Sequence, residues 1–200
     1  MADPLDEDDL GPDPIAQFAE WFAQARQSVT RPDAVALATA DGAGAPSVRM
    51  VLLKGWDDRG FVVFTNYESR KGHELADNRR AALVVYWEPL GRQVRATGTI
   101  ERTSEEESDH YFATRPRGSQ LAAHASHQSE LLADRAEIEE AFAKVAEQYE
   151  GQDVPRPAFW GGFRLVPEAI EFWQHQENRL HDRFVYRRSG SGWRRSRLAP

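Results

Sequence analysis

The chain has 200 residues, 40% of them apolar, and a formal net charge of −7, which fits one globular domain with a substantial core. Because it contains no cysteine, disulfide frameworks, cysteine metal sites and thiol catalysis are excluded. No apolar run reaches transmembrane length, and the acidic N-terminus does not resemble a signal peptide. We therefore expect a cytoplasmic protein without a membrane partner, and the net charge argues against nucleic acid.

The first part of the chain predicts a tail, a helix and a run of antiparallel strands. Residues 1–12 combine Asp, Pro and Gly and predict a disordered acidic tail, followed by a single domain over 13–200. Asp13 and Pro14 form a helix-start signal, and the helix should end near Val29. Three short-linked strands then predict an antiparallel meander, over 34–40, 46–54 and 61–65.

The rest of the chain adds helices between further strands. Helices are expected over 69–78, 104–114, 116–125 and 134–149. Strands are expected over 81–87, 92–101, 162–172, 179–188 and 193–198. Many short antiparallel strands from both halves of the chain, with inserted helices, predict a mainly β fold of the α+β type, a closed or nearly closed barrel with peripheral helices.

Cationic side chains at the start of one predicted helix suggest an anion site. Ser69 can cap the helix, and Arg70 and Lys71 then occupy its first turn, where positive charge opposes the helix dipole unless an anion is also bound there. The preceding strand end supplies the hydroxyl of Thr65. An ordinary helix cap is the alternative explanation.

A second candidate anion site follows a four-residue spacing. Tyr111, Arg115 and Ser119 would lie on one face of a continuous helix, and Pro116 interrupts that helix while preserving its rough direction. A phenol, a guanidinium and a hydroxyl together can hold a phosphate monoester. Surface decoration is the alternative. The nearby histidines lack a metal-binding spacing, and we expect no metal site.

A third cationic group lies near the C-terminus. If Arg179, His181 and Arg183 lie on a strand, all three side chains share one face. Such a row would suit an anionic partner, whereas a solvated edge strand is the alternative. The three groups together would suit two phosphorylated ligands bound side by side.

At this point the sequence resembles the pyridoxamine 5′-phosphate oxidase family. The resemblance rests on the number and order of short motifs from about Ala34 to Pro200: 49–54 (RMVLLK), 64–66 (FTN) with 69–71 (SRK), 92–94 (RQV), 111–112 (YF) with 115–116 (RP), 128–129 (QS), 159–162 (FWGG), 171–174 (EFWQ) and 179–183 (RLHDR).

This resemblance implies a split β-barrel that binds flavin mononucleotide (FMN) and forms a homodimer with active sites at the subunit interface. The implied reaction oxidises pyridoxine or pyridoxamine 5′-phosphate to pyridoxal 5′-phosphate, with O2 as acceptor and hydrogen peroxide as product. The flavin would supply the redox chemistry, and the protein would position and stabilise the reactants.

The resemblance also assigns roles to individual residues. The flavin would contact Arg49, Met50, Val51, Leu52, Leu53, Lys54, Phe64, Thr65, Arg70, Lys71, Gln93, Gln128, Ser129, Trp173 and Arg183. The substrate phosphate would be held by Lys54, Tyr111, Arg115 and Ser119. Arg179 and His181 would lie against the pyridine ring as the catalytic pair.

Two departures and three alternatives accompany this prediction. Phe64 stands where the family commonly has Tyr, and the acidic N-terminus replaces a segment that is often basic and aromatic.

The alternatives are a split-barrel flavin oxidase of the phenazine-biosynthesis type, a non-catalytic flavin- or pyridoxal-phosphate-binding protein, and a basic C-terminal arm for nucleic acid. An unphosphorylated substrate would leave Arg115 and its neighbours without a partner, which argues against the phenazine-type oxidase.

Overall fold

A computed structural model of the protein describes residues 4–200. It contains eight strands: β1 (Ala34–Ala40), β2 (Pro46–Asp57), β3 (Gly60–Asn66), β4 (Arg80–Trp87), β5 (Arg92–Arg102), β6 (Trp160–Gln174), β7 (Asp182–Ser189) and β8 (Gly192–Arg197). They form one antiparallel sheet in the order β3-β2-β1-β4-β5-β6-β7-β8, and β3 also pairs with β6. The extra pairing closes the first six strands into a barrel, which confirms the predicted fold class.

Five α-helices surround or enter this barrel: α1 (Pro14–Ala25), α2 (Arg70–Asp77), α3 (Glu105–Ala113), α4 (Arg117–Ala125) and α5 (Arg135–Gln148). Helix α1 starts as predicted, with Asp13 accepting a hydrogen bond from Ile15 N. Its Phe18 is fully buried and meets Trp56 and Phe61 edge-on, with ring centroids 5.1 and 4.9 Å away. The helix therefore supplies aromatic side chains to the barrel core.

Strand β6 is long enough to pair with three neighbouring strands and is therefore central to the sheet. It pairs with β5 along most of its length, with β3 through its first residues and with β7 through its last. The register shifts between Thr97 and Gly98, and a Cβ on Gly98 would lie 2.0 Å from Val166 O. Only glycine fits this close approach, which lets β6 turn from the barrel towards β7.

The strand predicted over 179–188 begins later than expected. Residues Glu177–Arg179 form a 3-10 turn, and β7 starts at Asp182. Asn178 and Arg179 have φ angles of 54° and 63°, which a strand does not allow. The prediction that Arg179, His181 and Arg183 share one strand face is therefore wrong, since only Arg183 lies on a strand.

The N-terminal segment differs from the predicted disordered tail over the residues that the structure describes. Leu5 and Leu10 are 4% and 5% exposed and belong to the main core. They flank a short acidic 3-10 turn, Glu7–Asp9. Composition suggested disorder because acids dominate the segment, yet the two leucines bury enough apolar surface to hold it. Residues 1–3 lie outside the described range.

None of the helices within residues 4–200 has the length and apolar character that a membrane crossing requires.

Candidate active site

The end of β3 and the start of α2 form a cationic junction, defined by Arg49, Thr65, Arg70, Lys71, Gln128 and Ser129. Ser69 caps α2 by accepting from Gly72 N. The buried Lys71 donates through Nζ to Thr65 Oγ1 at 3.1 Å and to Gln128 Oε1 at 2.5 Å. The predicted junction of strand end and helix start is therefore present, and the loop that carries Gln128 lies against it.

The charge of Lys71 is disfavoured by its surroundings. Burial, followed by repulsion from Arg49, lowers the pKa of Lys71 to about 8. A cation whose charged form is disfavoured in this way gains from any anion that binds beside it. The junction is thus electrostatically suited to a phosphate group.

Glu74 balances the arginines of the cationic junction and was not identified from the sequence. Its carboxylate accepts from Arg49 Nη2 at 3.0 Å, from Arg70 Nε at 2.8 Å and from Ser47 Oγ at 2.6 Å, as well as from Thr39 Oγ1. Removal from water by itself raises the pKa of Glu74, but these hydrogen bonds lower it to about 2. The four-residue spacing of Arg70 and Glu74 on α2 was the available sequence signal.

A groove of about 420 Å³ adjoins the cationic junction, with Arg70, Gln128 and Ser129 in its wall. Ser129 has a φ of 80°, a conformation that non-glycine residues seldom adopt outside functional turns. The groove therefore reaches the exposed edge of the junction, and the rest of its lining is formed by His73 and the acids Asp41, Glu68, Glu74, Asp77 and Glu130.

The second cluster is an aromatic stack, defined by Phe64, Tyr111, Arg115 and Trp160. The rings of Phe64 and Tyr111 are stacked with centroids 4.1 Å apart, and Phe64 is also stacked on Trp160 at 5.6 Å. The Arg115 guanidinium lies 4.6 Å from the Trp160 ring. Its Nη1 atom is buried without a hydrogen-bond partner, and burial lowers the pKa of Arg115.

Trp160 is the member of this stack that was not among the predicted site residues. It was visible in the sequence only as part of the motif at 159–162. Because Trp160 begins β6 and pairs with Asn66 at the end of β3, the aromatic stack lies beside the cationic junction. The two clusters predicted separately are neighbours on β3.

Ser119 and Lys54 form no hydrogen bond or ion pair with Arg115 among the described residues. Ser119 lies in the first turn of α4, where its backbone N donates to Pro116 O at 2.8 Å. Lys54 lies at a register shift in β2 and forms an ion pair of 2.8 Å with Asp33. The predicted single helix face is interrupted, because α3 ends at Ala113 and α4 begins at Arg117.

The third cluster is a C-terminal cleft of about 570 Å³ that includes Trp173, Arg179 and His181 in its lining. The His181 ring lies 4.6 Å from that of Trp173. In the sheet, Trp173 pairs with Gln93 on one side and Arg183 on the other, so these three side chains point to the same face. Arg183 Nε donates to the buried Glu171 at 2.9 Å.

The remaining predicted residues follow β2. Val51 and Leu52 are half-buried and Leu53 is buried, whereas Met50 is 63% exposed on the outer face of the sheet. Met50 pairs with Ala36, which pairs with Val84. This places the exposed methionine on the sheet face that continues through Tyr86 and Gln93 to Trp173.

These features define a class of protein: a closed antiparallel barrel that carries a buried cation cluster and a stack of aromatic rings. No group of three or more His, Asp or Glu side chains in residues 4–200 is arranged to hold a metal ion. Buried cations and an unpaired guanidinium nitrogen suit anionic groups, and stacked aromatic rings suit planar ones.

Comparison with known proteins identifies the family. Residues 22–149 match the model described as pyridoxamine 5′-phosphate oxidase, and residues 160–200 match the pyridoxine 5′-phosphate oxidase C-terminal dimerisation region. The chain therefore belongs to the pyridoxamine 5′-phosphate oxidase family, as its motifs predicted.

Individual relatives agree with this assignment. A pyridoxine/pyridoxamine 5′-phosphate oxidase of Rubrobacter xylanophilus is 59% identical, with 98% of this chain and 91% of the relative aligned. One of Burkholderia cenocepacia is 54% identical over 98% and 93% of the two chains. The crystal structure of PhzG from Burkholderia lata, in complex with tetrahydrophenazine-1-carboxylic acid, matches with a TM-score of 0.92 and 35% identity over 100% of this chain and 99% of that chain.

Proposed function

We propose that the protein is an FMN-dependent oxidase that converts pyridoxine and pyridoxamine 5′-phosphate to pyridoxal 5′-phosphate. The observation that carries this proposal is the buried, unpartnered Nη1 of Arg115 beside the aromatic stack. A guanidinium held on a ring with an unsatisfied donor is suited to the phosphate of an aromatic substrate. The near full-length similarity to enzymes of that name supports the same function.

The cationic junction fits the phosphate of FMN. Lys71 is buried with a lowered pKa, and Arg49 and Arg70 lie on either side of one carboxylate. When bound, FMN would supply the redox chemistry, a two-electron oxidation of the substrate with O2 as the final acceptor and hydrogen peroxide as the product. The residues assigned to it are Arg49, Met50, Val51, Leu52, Leu53, Lys54, Phe64, Thr65, Arg70, Lys71, Gln93, Gln128, Ser129, Trp173 and Arg183.

The substrate phosphate is assigned to Lys54, Tyr111, Arg115 and Ser119, and the pyridine ring to Arg179 and His181. The Nδ1 atom of His181 accepts a hydrogen bond from Gln176 N at 3.1 Å. The proton of a neutral His181 therefore resides on Nε2, which can donate to a substrate oxygen or nitrogen. Arg179 supplies a permanent positive charge that orients the ring and stabilises charge developing on it.

A homodimer completes the site in this proposal. Trp173 and Arg183 contact the same flavin as Arg70 and Lys71 in the assigned roles, yet within one chain they belong to separate clusters. The outer sheet face between them exposes Val48, Met50 and Tyr86, at 68%, 63% and 52%. An apolar face of this kind suits a second copy of the chain, and a fully active monomer in solution would contradict this arrangement.

Turnover in air tests the function. Purified protein loaded with FMN is mixed with each of the two phosphorylated vitamers, and pyridoxal 5′-phosphate and peroxide are quantified. Equal amounts of aldehyde and peroxide are expected, with ammonia released from the amine substrate. A flavin-loaded protein that forms neither product would contradict the proposal and favour a non-catalytic binding role. A cytoplasmic location stays a prediction that cell fractionation tests.

A phenazine-type oxidase is the second candidate, because the structure closely superimposes on PhzG. The PhzG structure is a complex with tetrahydrophenazine-1-carboxylic acid, which has no phosphate. The buried, unpartnered Nη1 atom of the half-buried Arg115 favours the phosphorylated substrates. Faster turnover of a tetrahydrophenazine carboxylic acid than of either vitamer phosphate would reverse this preference.

A further inference from the structure

The N-terminal segment from Pro4 to Gly11, here called the N-terminal strap, is fastened to the last two strands. Tyr186 Oη donates to Gly11 O at 2.6 Å, and Arg195 Nη1 donates to Leu10 O. Arg197 Nη2 donates to Leu5 O at 3.2 Å. The strap therefore has fixed polar contacts at both ends, in addition to its two buried leucines.

Asp182, the first residue of β7, joins the strap to the rest of the molecule. Its side chain is 12% exposed. Oδ2 accepts from Leu5 N at 3.0 Å and from Gln176 Nε2 at 2.9 Å, while Oδ1 accepts from Arg197 Nη1 at 2.9 Å. One carboxylate thus connects three separate segments of the chain.

Gln176 links Asp182 to His181 through two hydrogen bonds. Its side chain is held by Asp182, and its backbone N donates to His181 Nδ1 at 3.1 Å. That second bond fixes which ring nitrogen carries the proton when the imidazole is neutral. The chain of contacts therefore runs from the strap through Asp182 and Gln176 to the imidazole.

The loop between Gln176 and His181 needs such support because its backbone is strained. Asn178 and Arg179 are consecutive non-glycine residues in the left-handed region. Conformations of this kind are unfavourable and persist only where the surrounding structure stabilises them. The hydrogen bonds of Asp182 at the base of the loop stabilise this conformation.

We propose that Asp182 is a positioning residue, which together with Gln176 and the N-terminal strap fixes the tautomer of His181 and the conformation of the loop bearing Arg179. This inference rests on the proposed oxidase function for its kinetic consequence only. The tautomer and the loop conformation are properties of the protein without substrate, so they can be measured even if the oxidase assignment fails.

The test compares Asp182→Asn and Gln176→Leu with the wild-type holoprotein. The Asp182→Asn change retains the size of the side chain while removing the charge and one acceptor oxygen. Glu177→Gln is the matched control, because it removes a carboxylate from the same loop at an exposed position. Nitrogen-15 NMR of the His181 ring under alkaline conditions, where imidazole is neutral, reports the tautomer; kcat, KM and flavin absorbance are recorded for each protein.

The wild type and Glu177→Gln should show the Nε2-protonated tautomer, whereas Asp182→Asn and Gln176→Leu should show a mixture. Both of these variants should keep the flavin and lose roughly ten- to a hundredfold in kcat, with a smaller change in KM. Gln176→Leu leaves the bonds of Asp182 to the strap in place, so it keeps the test decisive if Asp182→Asn does not fold.

Two results would overturn the proposal. One is an unchanged His181 tautomer in both variants, and the other is a kcat loss that merely follows lost flavin or lost folded protein. If the wild type is inactive on both vitamer phosphates while the tautomer responds as expected, the proposed function fails and the positioning role of Asp182 stands.

Discussion

The guanidinium of Arg115 lies 4.6 Å from the ring of Trp160, and its Nη1 atom is buried without a hydrogen bond. The ring face stabilises the positive charge but offers nothing to the N–H donors. An unsatisfied buried donor is unfavourable, so a phosphate oxygen that reached it would be bound strongly. This pair of residues is the structural basis for assigning a phosphorylated substrate.

Replacing this guanidinium should weaken substrate binding selectively. Arg115→Gln removes the charge that would meet the phosphate, and a charge-assisted hydrogen bond is worth about 1.5–3 kcal/mol. We expect KM for pyridoxine 5′-phosphate to rise by roughly 10- to 100-fold with flavin content unchanged, as measured by steady-state kinetics. Arg117→Gln, which alters a guanidinium that within residues 4–200 donates to the backbone carbonyls of Gln152 and Tyr149, should leave KM unchanged. Equal KM values for both variants would refute the assignment.

Flavin binding should depend on pH through Lys71. Its pKa is lowered to about 8, so the apoprotein carries an ammonium there below that pH and a neutral amine above it. The FMN phosphate remains doubly charged across this range. Affinity should therefore fall above pH 8, by up to about tenfold per pH unit, as measured by fluorescence titration of apoprotein.

The control for this titration is Lys71→Arg, whose guanidinium stays charged at every pH used. Its FMN affinity should show no such decline. If the wild type and Lys71→Arg respond identically to pH, Lys71 is not the group that titrates.

Glu74 should stabilise the fold, and the contribution should disappear in acid. Its pKa falls from an ordinary 4.5 to about 2 in the folded protein. A carboxylate with a depressed pKa stabilises fully above its unfolded value and progressively less as pH falls towards the folded value. Glu74→Gln should lower the free energy of unfolding at neutral pH by about 2 kcal/mol, with a smaller difference near pH 3 in chemical denaturation.

Glu168→Gln provides the comparison for that experiment. Glu168 pairs with Arg80, but both side chains are at least half exposed, and such pairs contribute about 0–1 kcal/mol. A Glu74 variant no less stable than the Glu168 variant at neutral pH would show that the carboxylate is not buried among its hydrogen-bond donors.

Arg179→Ala should separate chemistry from cofactor binding. Arg179 lies in the C-terminal cleft and makes no ion pair within residues 4–200, and removal of one transition-state donor typically costs about 100- to 1000-fold in kcat. We expect a loss of this size with flavin content close to wild type, compared with no loss in Arg187→Ala on the exposed part of β7. A parallel loss of flavin and turnover would contradict this division of roles.

The fold was largely predictable because its signals are local. Alternating apolar strands, short Gly-containing turns and capped helices each indicate their own element, and closure of the barrel follows from many antiparallel strands. The loop at Asn178 and Arg179 was not predictable, since its left-handed backbone depends on tertiary contacts with Asp182 and its neighbours. For the same reason the buried Leu5 and Leu10 were mistaken for part of a disordered tail.

The candidate site was predictable where its residues are close in sequence. Arg70 and Lys71 at the start of α2 are an example, because helix-end electrostatics point to an anion. Glu74 and Trp160 were missed as site residues, since the first compensates arginines on two elements and the second reaches Arg115 only when β6 folds against β3. Contacts across the sheet are absent from local patterns.

The measurement that tests the central claim most directly is an anaerobic absorbance titration of the FMN-loaded protein with pyridoxine and pyridoxamine 5′-phosphate. The account predicts that either compound bleaches the flavin band with formation of one aldehyde per flavin, and that admitting O2 restores the band with one equivalent of peroxide. A flavin band that persists in the presence of both compounds would contradict the assigned oxidase activity.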